Sequence, residues 1–366
     1  MSETPILDLE IDPPRLSRPW ITWLVGGAIG VVLSFAKLPF SIDGLWWFPV
    51  LYASIAVHEV GHLVAGKLVG MESGGLVIGG LMILKSGQRW VVRFEWRRIL
   101  SGGFAKPLPK KTELDIPRYA WMLAGGPLAT LLLVAASGIP YWRSTATAPG
   151  WLSSFFWINV LLAVSLILPS RGLNKSDGAR LWLLLRNPSE ARSWIAVLQL
   201  QTEETEGMLP RDWDPALVAE MLQGCAANGD NAYRHMLVFY RCIDLGDEEA
   251  ALAHLEKALA ASARCGRPAR LWCFLEAAAC SGLMRGDPEQ ARTWLARAVK
   301  VSKPQSKSSV EAAIAMAEHR YEDALRLWDE SLAFLAKRRL DSGLIRFTKL
   351  KIAEYQAECR TSLVSK

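Results

Sequence analysis

Residues 45–69 read LWWFPVLYASIAVHEVGHLVAGKLV, an apolar run long enough to cross a bilayer, with His58, Glu59 and His62 set inside it. About 20 helical residues match a hydrocarbon core of roughly 30 Å. On a helix, residues four apart share a face, so both imidazoles can direct a ring nitrogen at one metal ion, and zinc suits such a pair. Glu59, one position on from the first ligand, stands where a carboxylate can take a proton from water beside the ion. Counting about 1.5 Å per residue from Leu45 puts His58 roughly 20 Å into the membrane, in its far third.

Outward from this stretch the apolar runs continue on both sides. Pro19–Phe40 forms one, Tyr119–Trp142 another and Trp151–Leu168 a fourth, closed by Pro169. The expected fold is mainly α: a polytopic membrane bundle of about four transmembrane helices, followed by a soluble helical domain. Between the second and third runs, residues 72–107 change character, with glycine pairs punctuating two β-favouring stretches, Leu76–Leu84 and Trp90–Phe94. These predict strands or a hairpin, since glycine breaks helices and the runs are too short to span. Of sixteen Trp, eight (20, 23, 46, 47, 121, 142, 151 and 157) cluster at or near the ends of apolar runs, as in an aromatic belt at a lipid interface.

Basic residues set the expected orientation. Arg15 and Arg18 precede the first run, Ser41–Gly44 has none, and ten lie from Lys67 to Arg118. Only Arg143 lies near the third connection, and Arg171, Lys175 and Arg180 follow the last run. By the positive-inside rule, both termini and the glycine-rich segment are cytoplasmic, which places a multi-pass protein in the cell membrane. The first eighteen residues are polar, with no cleavable signal pattern. The net charge of +6 is dispersed without a nucleic-acid motif, so no nucleic-acid partner is expected. All six Cys fall in the second half without a C-x-x-C pair and read as reduced core thiols.

From about residue 179 the pattern is helical and repeats. Asp247–Leu259, Asp287–Val299 and Arg320–Leu332 align at offsets of 40 and 33 residues, with Ala251, Ala291 and Ala324 at one position and Leu255, Leu295 and Trp328 four later. A helix-hairpin unit of about 34 residues is the tetratricopeptide period, so this half is similar to a degenerate α-solenoid of that type. A generic helical bundle is the alternative. Such solenoids offer a concave surface to a peptide or protein partner. Three segments are therefore expected: a cytoplasmic tail at 1–18, a membrane domain at 19–182 and a cytoplasmic tetratricopeptide-like domain at 190–366.

Two His do not complete a catalytic zinc site. His235, His254 and His319 lie in the repeat half, where exposed helix positions account for them, so a carboxylate is the expected third ligand. Asp177 fits best, eight residues past Pro169 on the side where the His pair should emerge. A helix cap is its other reading.

The order His58-Glu59-Val60-Gly61-His62, then Ala124-Gly125-Gly126-Pro127-Leu128-Ala129, then Leu168-Pro169 with Asp177-Gly178 resembles the site-2 proteases, intramembrane zinc metalloproteases, over roughly residues 45–182. Gly102-Gly103-Phe104 resembles that family's glycine-aromatic segment and is a candidate substrate-binding element. The chain departs from the family at Ser165 and Leu166, where an Asn often precedes the final Pro, with Asn159 further back and Asn174 beyond it, and at Thr130, where another Asn is common. The resemblance implies cleavage of a membrane-protein substrate within or beside its transmembrane segment. It further implies a Zn²⁺ cofactor held by His58, His62 and Asp177, and Glu59 as the base that takes the proton from zinc-bound water. An unwound substrate segment could pair with a strand edge from 74–104. A different class of function stays open: a membrane-anchored tetratricopeptide scaffold with a vestigial metal site.

Overall fold

The structure, a computed structural model, describes residues 47–365 apart from 88, 97–98, 100–101, 111–113, 145–148, 169–175, 224–230, 264, 303, 305 and 339. The tail 1–18, the apolar run Pro19–Phe40, Pro169, Asn174 and Cys225 lie outside the described residues. The chain is mainly helical with one small antiparallel sheet. Described residues up to Lys85 and from Trp90 to Gln199 form one compact unit, and Ser86, Gly87 and Arg89 together with Leu200 onward form a second.

In the first unit, α1 (Trp47–Leu68), α2 (Ile116–Arg143) and α3 (Gly150–Ile167) are the described helices long and apolar enough to cross a membrane. At 1.5 Å per residue, the shortest spans about 27 Å, close to the thickness of a hydrocarbon core. Their outer faces carry exposed Val57, Val60, Val64, Leu128, Leu132, Ile139 and Val164, apolar where a water-soluble helix is polar. Trp121, Trp142 and Trp151 are exposed near helix ends. Asp115 caps α2, its carboxylate accepting from the Arg118 N–H at 2.9 Å.

The sheet contains β1 (Glu72–Ile78), β2 (Leu81–Ser86), β3 (Arg89–Phe94) and β4 (Gly103–Leu108) in the order β3-β2-β1-β4. The stretch Leu76–Leu84 is thus two strands, because Gly79–Gly80 turns the chain and Gly79 holds φ +54°, a backbone that L side chains disfavour. β4 pairs with β1 and is an edge strand among the described residues. Its Pro107 faces the register shift at Ser73/Gly75, a place where proline's missing N–H is tolerated.

The short helix α4 (Asp177–Arg186) packs on the start of α2, where Leu184 joins Met71, Tyr119, Met122 and Leu123 in one buried cluster. Ala191 and Ile195 of the next helix, α5 (Pro188–Thr205), close that cluster.

The second unit continues with α6 (Pro215–Gln223), α7 (Asn231–Leu245), α8 (Glu248–Ser262), α9 (Arg267–Leu283), α10 (Pro288–Val301), α11 (Ser308–Ala317), α12 (Tyr321–Lys337) and α13 (Gly343–Val364). Consecutive helices pack in pairs, α7 on α8, α9 on α10 and α11 on α12. Ala251, Ala291 and Ala324 are fully buried, and their small side chains let backbones approach. Asp247 and Asp287 cap α8 and α10 by accepting from Ala250 and Gln290 N–H groups. Leu255 and Trp328 are buried as aligned, but Leu295 is only half-buried and Trp294, one residue earlier, takes the core place. The five described cysteines are buried and form no disulfide with one another.

His235 and His254 differ from the expectation of exposed positions. Both are half-buried, with Nδ1 atoms 3.0 Å apart between α7 and α8. His319 is exposed.

Candidate metal centre

His58 and His62 lie one turn apart on α1 and are both buried, as is Glu59. Asp177 reaches them from the first turn of α4. It is not the cap of that helix: Ser176 is, accepting from the Ala179 N–H at 3.2 Å. With the cap supplied by its neighbour, the Asp177 carboxylate is free to face the imidazoles. The adjacent Gly178 sits against the Ile167 carbonyl of α3, where any Cβ would collide, and this lets α4 begin hard against the end of α3.

Asp177 Oδ2 lies 3.0 Å from His58 Nε2 and 3.4 Å from His62 Nε2, and the two Nε2 atoms are 3.2 Å apart. Metal–ligand bonds of about 2.0–2.2 Å at tetrahedral angles put donor atoms roughly 3.3 Å apart. The three donors therefore match the spacing of one face of a zinc tetrahedron.

The opposite ring nitrogens fix which atoms carry hydrogen. His62 Nδ1 is 3.0 Å from the Met122 carbonyl oxygen, which only accepts, and 3.3 Å from the Gly126 nitrogen; the shorter contact makes Nδ1 the donor, so Nε2 keeps its lone pair. His58 Nδ1 is 2.9 Å from Thr130 Oγ1, and the Thr130 hydroxyl donates to the Gly126 carbonyl at 3.2 Å. With that hydrogen committed, Thr130 accepts from His58 Nδ1–H, and Nε2 is again the lone-pair atom. Two imidazole lone pairs and a carboxylate then converge on one point with no hydrogen between them, an arrangement that a bound cation stabilises.

Three glycines shape the cradle. Gly61 and Gly125 meet where α1 crosses α2, and neither has room for a Cβ against the other's backbone. A Cβ on Gly126 would strike the Nε2 atoms of both His58 and His62. Behind Glu59 lies β4: a Cβ on Gly103 would come 2.6 Å from Glu59 Oε1, and the Ala105 backbone N–H bonds the Glu59 carboxylate.

The candidate site residues among the described residues are thereby placed. His58, His62 and Asp177 come together, Glu59 stands beside them, and Gly103 touches Glu59. Gly102 occupies the turn before β4 at φ +78°, and Phe104 is exposed on that strand. Thr130, Met122 and Gly126 were not expected to touch the imidazoles. Asn159 and Ser165 bond within α3, to the Phe155 and Leu162 carbonyls. No protein-family model, curated protein or solved structure matches this chain.

Proposed function

We propose that the chain is a zinc-dependent intramembrane endopeptidase of the kind the site-2 proteases represent, cleaving a membrane-protein substrate within or next to its transmembrane segment. The observation that carries this reading is the convergence of His58 Nε2, His62 Nε2 and Asp177 Oδ2 at zinc-like spacing beside a buried carboxylate, Glu59. A purely structural site has no need of that carboxylate.

Zinc, when held by these three ligands, supplies a Lewis acid that makes water a nucleophile at neutral pH and polarises the scissile carbonyl. Glu59 takes the proton from the attacking water and delivers it to the departing amine. Met122 and Thr130 hold the imidazoles so that Nε2 faces inward. The helices around the cradle exclude bulk water, so that proton transfer runs through Glu59. A substrate helix hides its carbonyls and must unwind first; the extended segment then adds to the open edge of β4, whose Gly103 lets a backbone come close to Glu59.

The wider architecture in this reading has a tail at 1–18, a membrane domain at 19–182 with four spans, and a cytoplasmic tetratricopeptide-like α-solenoid at 190–366. Exposed Trp121, Trp142 and Trp151 support a lipid-interface belt. The basic excess of 67–118 supports a cytoplasmic sheet and a metal site toward that face. The paired helices and buried alanines of the second unit support the solenoid, which recruits or gates substrate.

Co-expression with a tagged panel of single-span membrane proteins tests the reading. Glu59→Ala and Asp177→Ala abolish the cleavage that wild type gives, while their amounts in membranes stay unchanged. A scaffold with a vestigial metal site predicts wild-type behaviour in both variants.

A further inference from the structure

A second candidate site lies wholly within the helical C-terminal unit. A cavity of about 200 Å³ opens among α7, α9, α11, α12 and α13. A single buried water needs only about 10–15 Å³ by the same measure, so this space takes a group of several heavy atoms. Its walls are aromatic. Tyr240 stacks on Trp272 with centroids 5.8 Å apart and meets Phe347 edge-on at 5.9 Å, and Trp328 stacks on Tyr355 at 5.4 Å.

One acidic side chain, Glu276, lines this cavity. The Tyr240 hydroxyl donates to Glu276 Oε1 at 2.6 Å, and the Trp272 indole N–H donates to the Tyr240 oxygen at 2.7 Å. The relay commits both aromatic hydrogens toward the carboxylate and leaves π-faces and an anion toward the cavity. No Lys, Arg or His among the described residues pairs with Glu276. Lys351 lines the same cavity, but its ammonium is held by Glu354 at 2.8 Å. Burial pushes the Glu276 carboxyl up, against the pull of the Tyr240 hydrogen bond, so with no cation beside it burial favours the neutral acid, and a cation drawn into the cavity favours the anion.

An anion in an apolar cavity is costly without a counter-charge. Aromatic faces attract a cation through their quadrupoles, most strongly when it is desolvated. A neutral apolar guest would fill the cavity and leave Glu276 unpaired, and a metal ion would find a single carboxylate.

We propose that this cavity binds an organic cation, an alkylammonium or guanidinium group, between its aromatic walls with its charge on Glu276. Two sources share that chemistry: a small free amine, and the side chain of a Lys or Arg on a partner polypeptide. The site does not depend on the metal centre, and its test reads binding and not proteolysis.

Calorimetric titration of the full chain in a non-ionic detergent provides the test. The probes are n-butylammonium chloride, the neutral alcohol 1-pentanol, a Gly/Ser peptide with one central Lys, and that peptide with the Lys acetylated. Butylammonium binds on the order of tenfold or more tighter than pentanol, and Glu276→Gln removes that advantage while pentanol affinity stays the same. Glu276→Gln keeps the acceptor for Tyr240 and the cavity shape, so the charge alone is lost. The Lys peptide binding tighter than butylammonium, with acetylation abolishing it, assigns the site to a partner side chain; butylammonium binding tighter assigns it to a free amine. Equal affinity for butylammonium and pentanol, unchanged cation binding in Glu276→Gln, or no cation binding at millimolar concentration overturns the proposal. Should Glu276→Gln lose its unfolding transition, the wild-type comparison of the charged and the neutral probe decides.

Discussion

Thr130 Oγ1 lies 2.9 Å from His58 Nδ1 although 72 residues separate them, and its own hydrogen goes to the Gly126 carbonyl, one turn earlier on α2. A single hydroxyl thus ties the ring orientation of one candidate metal ligand to the helix that crosses behind it.

Thr130→Val keeps the shape and removes that acceptor, so His58 Nδ1–H is left buried and unpaired. Zinc affinity should fall about 10- to 100-fold, the usual cost of losing such an outer partner, with stability lowered by about 1–3 kcal/mol. Thr130→Ser retains the hydroxyl and should retain most of the affinity. Competition titration against a fluorescent zinc chelator measures both variants.

Two glycine substitutions separate metal binding from proton transfer. Gly126→Ala drives a methyl into both Nε2 atoms, so zinc content and cleavage should be lost together. Gly103→Ala crowds Glu59 Oε1 from the β4 side, so cleavage should fall while zinc content stays near wild type. Loss of zinc in Gly103→Ala would show that β4 supports the ligands and not the base.

The paired imidazoles of His235 and His254 give the second unit a pH dependence. Burial, then His254, Lys257 and Arg234, lower His235 from 6.5 to about 4. The folded chain therefore binds fewer protons than the unfolded chain between these values, and stability rises with pH through that window. It is fully present above about pH 6.5 and is lost as pH falls toward 4. With the ring half-exposed and screened, the loss should be on the order of 1 kcal/mol. Thermal unfolding at pH 7.5 and 5 should show a smaller difference in His235→Gln than in wild type.

The sequence carried the His58–His62 pair, Glu59 and Asp177 legibly because each follows from helical spacing or from depth along an apolar run. It did not carry Thr130 or the Met122 carbonyl as imidazole partners, since a hydroxyl or carbonyl on another helix leaves no periodic trace along the chain. Gly126 had a visible signal, the pair Gly125-Gly126 inside an apolar helix where glycine is costly, which marks close approach. Ser176 takes the cap of α4 and leaves the Asp177 carboxylate to the imidazoles, a division that depends on α4 starting at Asp177 and not at its neighbour. Within Leu76–Leu84 the β-favouring run was clear, but the positive φ at Gly79 split it into two strands. In the repeats, alignment on small residues located Ala251, Ala291 and Ala324, whereas the core place of the middle unit fell to Trp294, the larger of two adjacent candidates. The half-buried His235–His254 pair depends on two helices meeting and has no signature in either one.

Metal content of the purified chain by inductively coupled plasma mass spectrometry shows whether His58, His62 and Asp177 hold zinc. The three-ligand site predicts about one zinc per chain in wild type and in Glu59→Gln, which changes the proposed base and no ligand, and near-complete loss in His58→Ala and Asp177→Ala. Wild-type zinc content in Asp177→Ala, or no zinc in wild type purified without chelator, would contradict it.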